Sequence, residues 1–261
     1  MTESGSGDMN EPIHFCPVGD RRRPVAVLFS LDGTLVDHDG AVSGALDELY
    51  ATRAPQIERS EDDFRQSWKK ASSSPGDGRG QGGIAWERAR VRTAFGRPDL
   101  DADTADQIFA EFLQGYELRW TFFPDAIPCL ERLRGKPLAI VTNGNPRQQR
   151  RKLRKLGLRE HFKEILISEE LGSAKPSPDI LLEASRRLWS LPGECILVGG
   201  SWEDDVEGGR RAGMQPVWLD RVGNDFQTDI PVVSGLSQLP DLVSRWQAAK
   251  PEELPTFDFQ N

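Results

Sequence analysis

Five short clusters in the chain combine hydroxyl, ammonium and carboxylate groups with glycines: Ser30-Leu31-Asp32-Gly33-Thr34, Thr142-Asn143-Gly144, Lys175-Pro176, Gly199-Gly200-Ser201 and Asp204-Asp205. A serine such as Ser30 is a weak nucleophile unless a base stands beside it. The three histidines, His14, His38 and His161, fall in the N-terminal tail, at the mouth of a helical segment and at a helix end, so no Ser-His-Asp arrangement is legible. Asp32 is the carboxylate nearest in sequence, and an ordinary aspartate pKa of about 3.9 makes it a poor base for a hydroxyl. Each cluster also has a purely structural meaning. Gly33 and Thr34 suit a tight turn, Asp205 suits a helix cap, and Lys175 suits an ion pair with Asp205.

The elements around these clusters decide whether they meet. Apolar, β-branched runs at 25–29, 138–141, 164–167, 195–198 and 216–219 read as buried parallel strands. Helical patterns at 146–156, 178–189 and 206–212 alternate with them, which predicts a doubly wound parallel sheet with right-handed crossovers. In such sheets ligands bind outside the carboxyl ends of the strands, where the clusters fall. Between the first and second strands the periodicity is helical, at 45–51, 61–70, 85–95 and 105–120, and predicts an inserted helical cap. The expected layout is a disordered tail at 1–20, a core at 21–37 and 123–248, a cap at 38–122, and a C-terminal tail at 249–261. A glycine- and proline-rich surface loop is expected at 72–83, and one more helix at 239–247.

Composition narrows the function classes. A net charge of -8 and a pI near 5.1 argue against a general nucleic-acid binder, which needs a basic field. No apolar run approaches the roughly 20 residues of a membrane span, so no membrane partner is expected. The cysteines, Cys16, Cys129 and Cys195, are odd in number and widely spaced, with no targeting sequence, which favours a reducing cytoplasm over a disulfide framework. The basic helix 147–158 reads as a solvated face or a docking surface.

Taken in order, the clusters resemble the haloacid dehalogenase (HAD) superfamily, over about 24–236. Its pattern is DxDGT after the first strand, Ser or Thr after the second, Lys before the last, and an acidic GD...D loop. The phrases FFPDAIPCLERL, VTNG, SEELGSAKPSPDI and GGRRAGMQPVWLDR are similar to its capped phosphatase and dehalogenase branch. The resemblance implies a Rossmann-like α/β core with a helical cap. It also implies an aspartate nucleophile, a second aspartate (here Asp32) that exchanges protons, Thr142 and Lys175 on the transferring oxyanion, and Mg²⁺ held by the nucleophile and the fourth loop.

The chain departs from that pattern in two loops. Ser30 stands where the nucleophilic aspartate belongs, and Gly200 stands where a magnesium-binding aspartate belongs, with Asp204 in place of the asparagine that follows it. Mg²⁺ is usually held by one or two carboxylates plus substrate oxygens, so the metal site is expected to be lost and no cofactor is expected. The chain resembles divergent homologues that form aziridines by sulfate loss. The expectation is a metal-independent, nonhydrolytic enzyme acting on a small anionic ester, by ring closure or elimination. Ser30, Asp32 and Lys175 are its expected catalytic groups, with Asp32 as base. Thr34, Thr142, Asn143, Gly144 and Ser201 are expected on the oxyanion, and Trp202, Asp204 and Asp205 on the substrate side. The alternatives are a catalytically silent homologue that binds a ligand or joins a partner subunit completing the pocket, and a divergent Mg²⁺-dependent hydrolase.

Overall fold

Residues 26–29 are apolar and fully buried, and their alternation splits them between two layers: Val27 and Phe29 face one core, Ala26 and Leu28 another. This is β1 (Ala26–Phe29) of a six-stranded parallel sheet with β2 (Leu138–Thr142), β3 (Glu164–Ile167), β4 (Cys195–Gly199), β5 (Gln215–Leu219) and β6 (Val232–Val233). The computed structural model describes residues 25–73, 83–224 and 227–249. The expected tail at 1–20, all but Ala249 of the expected tail at 249–261, His14, Cys16 and most of the 72–83 loop lie outside the described residues.

The strand order is β3-β2-β1-β4-β5-β6, the doubly wound α/β topology that the alternation predicts. The order reverses between β1 and β4, the switch point outside whose carboxyl ends ligands bind in open α/β sheets. Helices α1 (His38–Arg53), α2 (Glu61–Ser73), α3 (Ile84–Phe95) and α4 (Ala102–Leu118) form the insert after β1. They pack on a separate aromatic cluster that includes Phe64, Trp68, Phe95, Phe112, Tyr116 and Trp120. The two linkers joining insert and core run side by side, with the Asp37 amide donating to the Thr121 carbonyl at 3.0 Å and the Phe123 amide to the Leu35 carbonyl at 3.1 Å.

The sheet is covered by α5 (Ala126–Arg132), α6 (Pro146–Lys155) and α10 (Leu239–Ala248) over the core that holds Val27 and Phe29, and by α8 (Pro178–Arg187) over the other. Two single turns, α7 (Ser168–Leu171) and α9 (Gly208–Arg211), follow β3 and the fourth loop. Local chemistry starts these helices. Asn145 accepts the Arg147 amide at 3.0 Å with Pro146 in the first turn of α6, and Ser177 caps α8 ahead of Pro178. Leu156, at the end of α6, packs against both the core cluster and the cap cluster.

Two helix expectations are corrected. The first cap helix begins at His38 instead of 45, because Asp37 caps it by accepting the Gly40 amide at 2.9 Å. The helix expected at 206–212 starts earlier, as a π-helical turn at Trp202–Glu207, capped when the Ser201 hydroxyl accepts the Asp204 amide at 3.1 Å. A π-turn carries no apolar period of its own, and such turns cluster at functional sites.

Candidate functional site

The turn after β1 places Ser30 at the strand end, 8% exposed, and Gly33 at φ 72, a left-handed conformation that glycine adopts without strain. The buried Lys175 ammonium donates to Ser30 Oγ at 2.9 Å and pairs with Asp205 Oδ1 at 2.5 Å. Asp205 is itself buried, and its other oxygen accepts the Ser201 amide at 3.0 Å. Its carboxylate lies against Gly199, where an added Cβ would stand 2.0 Å from Asp205 Oδ2. Three loops thus build one line, Ser30, Lys175, Asp205. Because Lys175 is ion-paired it acts at Ser30 as a cationic donor, so Ser30 Oγ is the acceptor and is not activated by a neighbouring base.

A second buried cation holds Asp32. Lys152 Nζ, from α6 and 0% exposed, is 2.6 Å from Asp32 Oδ1, and Gln149 Nε2 donates to Asp32 Oδ2 at 2.9 Å. Lys152 also contacts Tyr116 Oη at 3.0 Å, and His38 Nδ1 lies 2.8 Å from the same hydroxyl. Burial by itself pushes the Asp32 carboxyl up. The Lys152 and His38 charges and the hydrogen bonds from Gln149 and Lys152 outweigh it, and the net pKa lies below the ordinary value. Asp204 moves the other way. Burial raises it, the Lys175 charge opposes, and the charges of Asp205 and Glu203 reinforce the rise.

The remaining expected residues divide by what their side chains touch. Thr142 is buried beside Gln149, whose amide reaches its hydroxyl at 3.3 Å. The Asn143 side chain is engaged by the backbone of Lys175, accepting its amide and donating to its carbonyl, both at 2.9 Å. Asn143 therefore positions Lys175, and its amide nitrogen lies 3.5 Å from Asp204 Oδ2. The Gly144 amide donates to Ser168 Oγ, and the Ser201 hydroxyl is taken by its capping bond. Thr34 is 0% exposed, and its hydroxyl has no hydrogen-bond partner among the described residues. Trp202 packs edge-on against Trp218 with Arg210 over its ring.

Four residues of this site are not expected from the sequence: Lys152, Gln149, Tyr116 and His38. A signal for two of them exists, because positions 149, 152, 153 and 156 fall on one face of α6 and the apolar Leu153 and Leu156 mark that face as the inward one. The abundance of basic residues on that helix hides the signal. His38 stands apart from the other clusters along the chain, and the fold brings it within one hydroxyl of Lys152.

This order of strands, with hydroxyl, lysine and carboxylate groups converging from their carboxyl ends, defines a doubly wound, Rossmann-like α/β fold with an inserted helical cap. A family model described as haloacid dehalogenase-like hydrolase matches residues 25–213. The chain is 32% identical over 204 residues to the haloacid dehalogenase-like hydrolase domain-containing protein 3 of Mus musculus, covering 72% of this chain and 80% of that protein. It is 38% identical over 136 residues to the phosphoserine phosphatase of Thermus thermophilus, covering 51% of this chain and 53% of that one. The crystal structure of 2-haloacid dehalogenase from Pseudomonas syringae aligns with a TM-score of 0.62 at 31% identity, over 85% of this chain and 99% of the other. The chain belongs to the haloacid dehalogenase-like hydrolase family. It spans about half the length of the curated phosphatases it matches first. Among the described residues, no helix is long and apolar enough to cross a membrane.

Proposed function

We propose that this chain binds a small-molecule sulfate or phosphate ester without Mg²⁺ and expels the intact oxyanion by cleaving the carbon–oxygen bond, with ring closure by an amine of the same substrate. The observation that carries this reading is the Lys175 ammonium seated on Ser30 Oγ, at the position from which the family's aspartate attacks. Cation and hydroxyl together suit an anion, and neither supplies a covalent nucleophile. The phosphatases among its relatives support an anionic ester as the ligand.

The residues present do not fit Mg²⁺. Both oxygens of Asp32 are engaged by Lys152 and Gln149, and both of Asp205 by Lys175 and the Ser201 amide. Relative to the family pattern, Ser30 and Gly200 remove two negative charges, and omission of one Mg²⁺ removes two positive ones. Asp204, where the pattern has asparagine, returns one negative charge, so the site ends within one charge of the family's, and Lys175 is the cation that can serve an anion without the metal.

In the proposed reaction the carbon–oxygen bond breaks with both electrons passing to the ester oxygen, where Lys175 and the Ser30 and Thr142 hydroxyls offset the growing charge. The amine lone pair forms the new carbon–nitrogen bond, and the proton released from nitrogen needs an acceptor. Asp32 is the base expected from the sequence. Its low pKa makes it the weaker choice, and the half-buried Asp204, raised by burial and facing Asn143 and Lys175, is the better one.

The test is incubation with O-sulfated and O-phosphorylated 1,2-amino alcohols in oxygen-18 water, with EDTA present. Released sulfate or phosphate free of solvent oxygen, together with a cyclised amine, supports the reading. Oxyanion carrying oxygen-18, or turnover abolished by EDTA, assigns the chain to hydrolysis. No turnover with any ester leaves a ligand-binding homologue.

A further inference from the structure

We propose that Lys152 and Tyr116 are positioning residues that latch the cap onto Asp32, so that the placement of that carboxylate and the docking of the cap are one equilibrium. Lys152 belongs to the core helix α6, Tyr116 to the cap helix α4, and Asp32 to the loop after β1, yet the three meet at one ammonium group. The ammonium is fully buried. What answers its charge is the Asp32 carboxylate at 2.6 Å, the Tyr116 hydroxyl at 3.0 Å, and the ring faces of Tyr116 and Trp120 at 5.4 and 5.3 Å. The ammonium has no exposed surface, although the Asp32 side chain keeps 26% exposure, so removing any one of these partners throws the burden on the others.

The position of this cluster gives it leverage. His38, the first residue of the cap's first helix, holds the Tyr116 hydroxyl from the other side at 2.8 Å, beside the paired linkers that join cap to core. Leu156, one turn beyond Lys152, packs against both hydrophobic cores. Tyr116 keeps its contact with Lys152 only while the cap holds this arrangement. Tyr116 and Asp32 share Lys152 as a common partner, so each senses the other through a single buried proton donor. This inference does not depend on which bond the enzyme breaks.

The test is a double-mutant cycle, Asp32→Asn against Tyr116→Phe, read by hydrogen exchange of the α4 amides with the β2 and β4 amides as the internal standard. Each single change is expected to speed α4 exchange roughly tenfold with the sheet unchanged, and the double variant to be little faster than either single one. Additive effects, or an Asp32→Asn protein whose cap exchanges as in the wild type, would overturn the latch. Should Asp32→Asn loosen the sheet as well, Lys152→Met provides the second arm. It must speed α4 exchange alone and abolish any further effect of Tyr116→Phe, and a Tyr116→Phe effect that persists in that background overturns the proposal equally.

Discussion

Lys175 is the residue on which most of the site's electrostatics turn, because its ammonium bridges the loops after β1 and β4 by direct bonds to both Ser30 and Asp205. Lys175→Ala should abolish binding of inorganic sulfate or phosphate by calorimetry. It should also cost about 3–5 kcal/mol in urea unfolding, since Asp205 is left buried with its charge unanswered. A variant that keeps its affinity would show that the anion binds elsewhere. Asp32 yields a pH prediction. Its folded pKa is depressed, so its contribution to stability is present above the unfolded value of about 3.9 and is lost as pH falls through the lower folded value. Asp32→Asn should therefore destabilise the protein at pH 7, and the gap to the wild type should shrink in acid unfolding below about pH 4. Residue identities at 30, 32, 142, 175 and 205 are legible in the sequence. The roles of Asn143 and Ser201 are not, because a backbone amide claims each side chain only after the loops have folded.

At the scale of elements, α6 and the turn after β4 do the positioning. The sequence of α6 shows ten residues of which most are cationic or polar, which masks the inward face marked by Leu153 and Leu156; in the fold the phase of the helix turns Gln149 and Lys152 inward with that face while Arg147, Arg150, Arg151 and Arg154 point out. The same phase places Leu153 in the core, where Leu153→Ala should cost about 2–5 kcal/mol by chemical denaturation. Truncating an outward arginine such as Arg154 should change stability by no more than about 0.5 kcal/mol. In the β4 turn, Gly199→Ala would thrust a methyl group into the Asp205 carboxylate, so it should cost about 1–3 kcal/mol and weaken sulfate binding together with it. An unchanged affinity there would separate Asp205 from the anion site. Most strand and helix positions can be read to within a few residues because apolar period is a local property, the start of α1 at His38 instead of 45 being the exception that its Asp37 cap explains. The π-turn at Trp202–Glu207 cannot, since its form follows from Ser201 and Asp205 bonding across the loop.

For the molecule as a whole, the proposed anion site rests on charged and polar groups drawn from four separate loops. Position 200 has room for a side chain, with the nearest atom to an added Cβ at 3.4 Å. Ser30→Asp combined with Gly200→Asp should therefore fold, raise its melting temperature on addition of Mg²⁺, and gain hydrolysis of p-nitrophenyl phosphate that EDTA removes. A wild-type protein equally stabilised by Mg²⁺ would contradict the charge argument. The sequence by itself determined five of the six strands, the helical insert and the departures at Ser30 and Gly200, because hydrophobic period and residue type are written locally along the chain; the two-residue β6 is too short to carry a period. The Lys175–Asp205 ion pair could be suggested from the sequence, but tertiary structure alone decided that Lys152 answers Asp32 and that Lys175 donates to Ser30. Lys152 reaches Asp32 across 120 positions and Lys175 reaches Ser30 across 145, and such contacts exist only once the crossovers have stacked the strand ends.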